Sequence, residues 1–140
     1  MSRIKLILPK HTNYSIQIDI RISDINYGGH LGNDSVLSLI HEARIRLLKD
    51  KGFSEIDIDG VGIIMVDSVI VYSSEGFYGD RVQIDVAVDD ISSTGCDIFY
   101  RLVNLENDKE IAKAKTGIVF FDYKTKRISR TPEVFKNQFG

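Results

Sequence analysis

The stretch SDINYGGHLGNDSVLSLIHEARIRLLKDK, residues 23–51, is where the period of the sequence changes, and its reading decides the fold. Ahead of it, Tyr14 to Ile22 alternates: Ile16, Ile18, Ile20 and Ile22 point one way, Gln17, Asp19, Arg21 and Ser23 the other. A period of two carried by β-branched residues predicts a half-buried strand. The loop from Asp24 to Gly32 breaks that period with Gly28, Gly29 and Gly32. From Asn33 to Lys51 the spacing turns helical, with Val36, Ile40, Ala43 and Leu47 on one stripe, widened by Leu37 and Leu48. Asn33, Asp34 or Ser35 can supply the N-cap. Lys49 and Lys51 suit the negative end of the helix, and Gly52 is a natural stop.

Beyond the helix, Ser54 to Gly60 reads as a polar connector, and nearly everything after it as strand. Val61–Ser73, Arg81–Ile91, Gly95–Leu105 and Glu110–Tyr123 carry the alternation, with turns at Gly79-Asp80, Ser92 to Gly95 and Asn107-Asp108. Short turns predict antiparallel neighbours. The expectation is a single α+β domain over residues 1–140, an antiparallel sheet of about five strands against one long helix. Residues from Ser129 to Gly140, polar and containing Pro132, are expected to lie on the surface. Open sheet edges invite pairing with a second copy.

Composition narrows the function classes. At 140 residues the chain supports one ordinary core, and 43% hydrophobic with 27% charged residues describes a globular protein. A formal net charge of -2 gives no general pull toward nucleic acid. The single cysteine, Cys96, cannot close an internal disulfide, so a reducing, cytoplasmic setting is expected. No apolar run approaches the ~18 residues of a membrane span. Three scattered histidines lack metal-ligand spacing, and the glycine patterns of nucleotide sites are absent, so neither metal nor cofactor is expected.

The 23–33 segment gathers polar groups at a helix N-terminus, whose open N–H groups and positive dipole end favour an oxygen that becomes anionic. His30 reads either as a base or as a packed loop histidine. Asp24 reads as a carboxylate of the site or as a turn residue, the turn being the commoner use after a strand. Asn26 either positions a ligand or closes an Asx-turn. Gly28-Gly29 allows positive φ and close backbone approach. Glu42, on the helix flank, forms an (i, i+4) pair with Arg46 worth ~0.3–0.5 kcal/mol, or faces a partner subunit as a base. His11 and His41 read as surface residues, and Cys96 as a small core residue. Lys124, Lys126, Arg127 and Arg130 read as a solvated tail or as a site for phosphates.

Element order and motifs together resemble the hotdog-fold thioesterases, in the subgroup typified by 4-hydroxybenzoyl-CoA thioesterase. Its pattern Asp-x-Asp-x-x-Gly-His-x-x-Asn is met by Asp24, Gly29, His30 and Asn33, and its helix triplet by Glu42-Ala43-Arg44. Tyr72 to Val82, with Gly79-Asp80, is similar to the family's strand–loop–strand passage, and Ile118–Asp122 followed by Pro132 to its last strand. The resemblance spans roughly residues 14 to 132. It implies a hotdog fold and hydrolysis of an acyl-CoA or acyl-carrier-protein thioester by a homodimer or dimer of dimers. It also implies the carbonyl oxygen on the Asn33 N–H, water activated by Glu42 or His30, and geometry held by Asn26 with Asp24, Gly28 and Gly29 around it. Asn26 stands where the family has its second Asp, and an amide cannot take a proton from water at neutral pH. The alternative is therefore a non-hydrolytic acyl-thioester-binding protein of the same fold.

Overall fold

The computed structural model describes residues 4–140; the first three, which the single-domain expectation includes, lie outside the described residues. Strand β1 (Tyr14–Asp19) leads through a 3₁₀ turn (Ile22–Asp24) into helix α1 (Asn33–Asp50). Strands β2 (Gly62–Tyr72), β3 (Arg81–Asp89), β4 (Gly95–Asn104), β5 (Lys109–Asp122) and β6 (Arg127–Ile128) follow, and helix α2 (Glu133–Phe139) closes the order. The sheet runs β1-β3-β4-β5-β2, antiparallel throughout, with the two-residue β6 paired to β5. The α+β class holds, with six strands where about five are expected.

Burial follows the alternation. Val82, Ile84, Val86 and Val88 of β3 and Ile98, Tyr100 and Leu102 of β4 are buried, together with Val36, Leu39, Ile40, Ala43, Leu47 and Leu48 of α1. Burying such a face supplies ~1.5–3 kcal/mol per large side chain. The helix differs from its expected stripe in two places. Leu37 is 47% exposed, while Leu39 and the charged Arg44 face inward. Arg44 widens the buried arc because it has partners in the core, described below.

Three expectations are corrected. The first strand ends at Asp19 rather than Ile22, because the Asp24 carboxylate accepts the Arg21 N–H at 2.8 Å and closes the 3₁₀ turn, leaving Ile22 exposed. The N-cap of α1 is Gly32, not Asn33, Asp34 or Ser35, and it has no side chain to cap with. The C-terminal segment is not a surface tail. Phe135 and Phe139 are buried, and Phe135 stacks on Phe53, Phe120 and Phe139 at centroid distances of 6.4, 5.0 and 4.8 Å. Pro132 fixes the entry to α2, and the (i, i+4) spacing puts both rings on one face.

The strand order carries the most consequence for the site. β2 pairs with β5 and β3 with β1, so the two strands are not the neighbours that short turns predict. Residues 73–80 therefore cross the end of the sheet past β5 and β4. The crossing is stitched to the loop before α1: Leu31 N donates to Gly76 O at 2.8 Å, and Gly79 N to Ile20 O at 2.9 Å. Gly76 is buried, and a Cβ there would meet Ile20 Cδ1 at 2.7 Å, so a larger residue would have to displace the end of the Ile20 side chain. Among the described residues no helix is long and apolar enough to cross a membrane.

Candidate active site

The loop from Asp24 to Gly32 is held by its own backbone. Asn26 N donates to His30 O at 2.9 Å and Gly29 N to Asn26 O at 3.1 Å. The Asn26 side chain turns inward, its Oδ1 accepting from Gly28 N at 2.9 Å and His30 N at 3.4 Å. This is an Asx-turn, with Gly29 at φ +83° supplying the positive angle. A Cβ on Gly28 would sit 3.3 Å from His30 Nε2, so the glycine lets the imidazole lie close over the loop. Asp24 is buried; its carboxylate is engaged by the Arg21 guanidinium at 3.3 Å, and its carbonyl accepts Gly32 N at 3.0 Å. The hydrogen bond and charge of Asp24 raise the Arg21 pKa. Asp24 and Asn26 thus shape the loop, and His30 is left to face outward.

His30 opens onto a cleft of about 250 Å³ between the loop and the crossing segment. Leu31, Val36 and Ile111 make its apolar lining, and Asn33, Tyr72, Ser73, Ser74, Glu75 and Gly76 complete it. Asn33 begins α1, and the backbone N–H groups of Asn33, Asp34 and Ser35 have no acceptor among the described residues. A glycine N-cap leaves them so, whereas a Ser or Asp cap would occupy one. Asn33, the first residue of that open helix tip, lines the cleft. Glu75 stands across from His30, Oε1 to Nε2 at 3.8 Å, with 62% of the carboxylate side chain exposed. Partial burial, followed by the charge of Asp34, pushes the Tyr72 phenol up.

Glu75 carried no signal in the sequence. It lies 45 positions beyond His30, in a passage notable only for Gly79-Asp80, and only the sheet crossing brings the two together. Glu42 is not brought to the cleft within the chain. It bonds Arg46 at 2.7 Å on the helix flank, nine residues past Asn33, or about 13 Å along the axis at 1.5 Å per residue. The basic cluster Lys124–Arg130 lies at the far end of β5 from Ile111, away from the cleft.

Arg44 builds a second polar cluster, inside the core. Its Nε bonds Glu55 at 2.9 Å and its Nη1 the Tyr100 hydroxyl at 3.1 Å, and that hydroxyl meets Thr116 Oγ1 at 2.7 Å. His41 Nε2 closes the outer end on Glu55 at 2.7 Å. Burial alone would raise the Glu55 pKa, but hydrogen bonds from Arg44 and His41 outweigh it and hold the carboxyl below its usual range. Burial pushes the neighbouring Tyr100 up, and Cys96 up to about 12, which leaves the thiol protonated and inert as a nucleophile.

One long helix packed against a single antiparallel sheet is the hotdog arrangement. The chain belongs to the thioesterase-like superfamily, whose sequence profile matches residues 20–139. Three solved structures carry the same architecture. A 1,4-dihydroxy-2-naphthoyl-CoA thioesterase from Synechocystis is 17% identical with a TM-score of 0.81, over 89% of this chain and 93% of that one. A Staphylococcus aureus protein solved in complex with CoA is 15% identical with a TM-score of 0.82, over 96% and 85%. A DHNA-CoA thioesterase from Staphylococcus aureus is 19% identical with a TM-score of 0.77, over 88% and 83%. At these identities the likeness is one of fold. No curated protein matches the chain in sequence.

Proposed function

We propose that this protein hydrolyses an acyl thioester, presented by CoA or by an acyl carrier protein, to the free acid and the thiol. The observation that carries the reading is the cleft in which His30 faces the uncapped N-terminus of α1. The thioester carbonyl oxygen sits on the Asn33 N–H, where a developing negative charge meets fixed dipoles that need no reorganisation. The acyl group runs over Leu31, Val36 and Ile111 toward a facing subunit, and water attacks from the side of His30. Superfamily membership and the CoA-bound neighbour support this chemistry. An acyl group of the 4-hydroxybenzoyl kind is one candidate within it.

A homodimer or dimer of dimers completes the reading. Among the described residues the edge strands β1 and β2 each have one side unpaired, and Val66, at a bulge in β2, is exposed. Glu42 reaches a cleft only if a partner subunit presents it. Asn26 favours the second reading, a thioester binder without turnover, because its amide replaces a carboxylate and is spent on the loop. The deciding experiment is steady-state hydrolysis of aliphatic and aromatic acyl-CoA esters, and of acyl carrier protein thioesters, with a thiol-detecting reagent. Turnover on at least one ester supports hydrolysis. Calorimetric binding of acyl-CoA with no release of CoA selects the binder.

A further inference from the structure

We infer that Glu75, supplied by the sheet crossing, is the base that activates water for this reaction, in place of the carboxylate missing at Asn26; the inference rests on the thioesterase reading. The glutamates of α1, of the connector after it and of β5 are committed elsewhere. Glu42, Glu55 and Glu110 each hold an arginine at 2.7, 2.9 and 3.1 Å. Among the described residues Glu75 faces only an imidazole, and at 3.8 Å the contact is longer than a hydrogen bond. That gap has a chemical use. Two polar atoms so spaced both lie within hydrogen-bond reach, about 2.8 Å, of one water molecule. The water would rest in a cleft that His30 and Glu75 line together with Asn33, the first residue of α1.

The step balances without any further reactant. The Glu75 carboxylate takes a proton from water as the water oxygen bonds to the carbonyl carbon. The carbonyl π pair moves onto the oxygen held by the Asn33 N–H, while His30 orients the water. Collapse of that intermediate re-forms the carbonyl and breaks the C–S bond. The proton on the Glu75 carboxyl then passes to the departing sulfur, leaving the carboxylic acid and the thiol. An exposed carboxylate suits this duty because water and product both exchange through the open side of the cleft.

The test compares Glu75→Gln, Glu75→Asp and Glu75→Ala with the unaltered protein on whichever acyl-CoA ester it turns over. Glu75→Gln should lower kcat by ~10²-fold with KM within about twofold, a general base contributing at least that much. Glu75→Asp should fall between the two. Added formate or acetate should restore part of the Glu75→Ala rate and leave the unaltered protein unchanged, which a structural role would not produce. Urea midpoints and circular dichroism report whether each variant folds. Glu75→Gln within threefold of the unaltered rate overturns the inference and leaves the thioesterase reading standing. So does a loss that neither Asp nor a small carboxylate relieves. Absence of turnover by the unaltered protein overturns the thioesterase reading, and this inference with it.

Discussion

Two histidine–glutamate pairs, one on α1 and one just ahead of it, are built to opposite ends. His41 and Glu55 touch at 2.7 Å, and Glu55 continues through Arg44 and Tyr100 to Thr116, so that no buried side-chain polar atom among the described residues lacks a partner. His30 and Glu75 stand 3.8 Å apart at an open cleft. The same two residue types thus serve as a closed structural clasp in one place and as a loose, wetted pair in the other. Saturation is the difference: a buried charge with all its partners contributes order, and a pair with spare valence is available to a substrate.

That contrast can be broken by substitution. Asn33→Pro is the sharpest case. Residue 33 is the first helical position, where proline is tolerated, and Gly32 already has the extended angles (φ -75°, ψ 151°) that precede a proline. The change removes one N–H together with the Asn33 amide, which bonds nothing among the described residues, so thioester turnover should fall ~10²–10³-fold with the unfolding midpoint nearly unchanged. Equal loss of rate and stability would mean that the tip is structural. Glu55→Ala should do the reverse: chemical denaturation should show a loss of about 3 kcal/mol, because Arg44 stays buried with its charge uncompensated, while kcat per folded molecule stays put.

Acid sharpens the same comparison. The Glu55 carboxyl is held below its usual range in the folded protein. Its stabilisation is therefore complete above the usual carboxylate range and is lost as pH falls through the lowered value. Urea midpoints should drop more steeply between pH 6 and about pH 3 for the unaltered protein than for Glu55→Gln. The smallest effect belongs to Glu42→Gln, which should cost only ~0.3–0.5 kcal/mol through the Arg46 pair. If a partner subunit carries Glu42 into a cleft, that variant loses turnover instead, and kinetics on one sample distinguishes the two.

The fold was largely legible because alternation and helical spacing are local properties. β3, β4 and the body of α1 lie where the periods place them. What escaped was non-local. Phe135 and Phe139 looked like a tail because their partners, Phe53 and Phe120, are remote in sequence. Arg44 lies outside the apolar stripe that the spacing marks, and its inward place depends on Glu55 and Tyr100, both remote in sequence. The loop was visible as a cluster of polar residues, and the structure divides that cluster: Asp24 and Asn26 hold the backbone, and His30 faces the cleft. Glu75 was invisible, since nothing in the passage from Tyr72 to Asp80 announces that it crosses two strands to meet residue 30.

The glycine at position 32 has a wider consequence. Serine or aspartate there would firm the start of α1, yet the gain over glycine is only a few tenths of a kcal/mol. In return its side-chain oxygen would take the N–H of Asp34 or Ser35 and offset part of the positive helix end that a carbonyl held at Asn33 would meet. Selection for durability alone would therefore drift toward a capped, slightly tougher and chemically muted version of this chain. The bare residue gives up a little firmness and, on the thioesterase reading proposed above, keeps the end of the rod clear for a substrate.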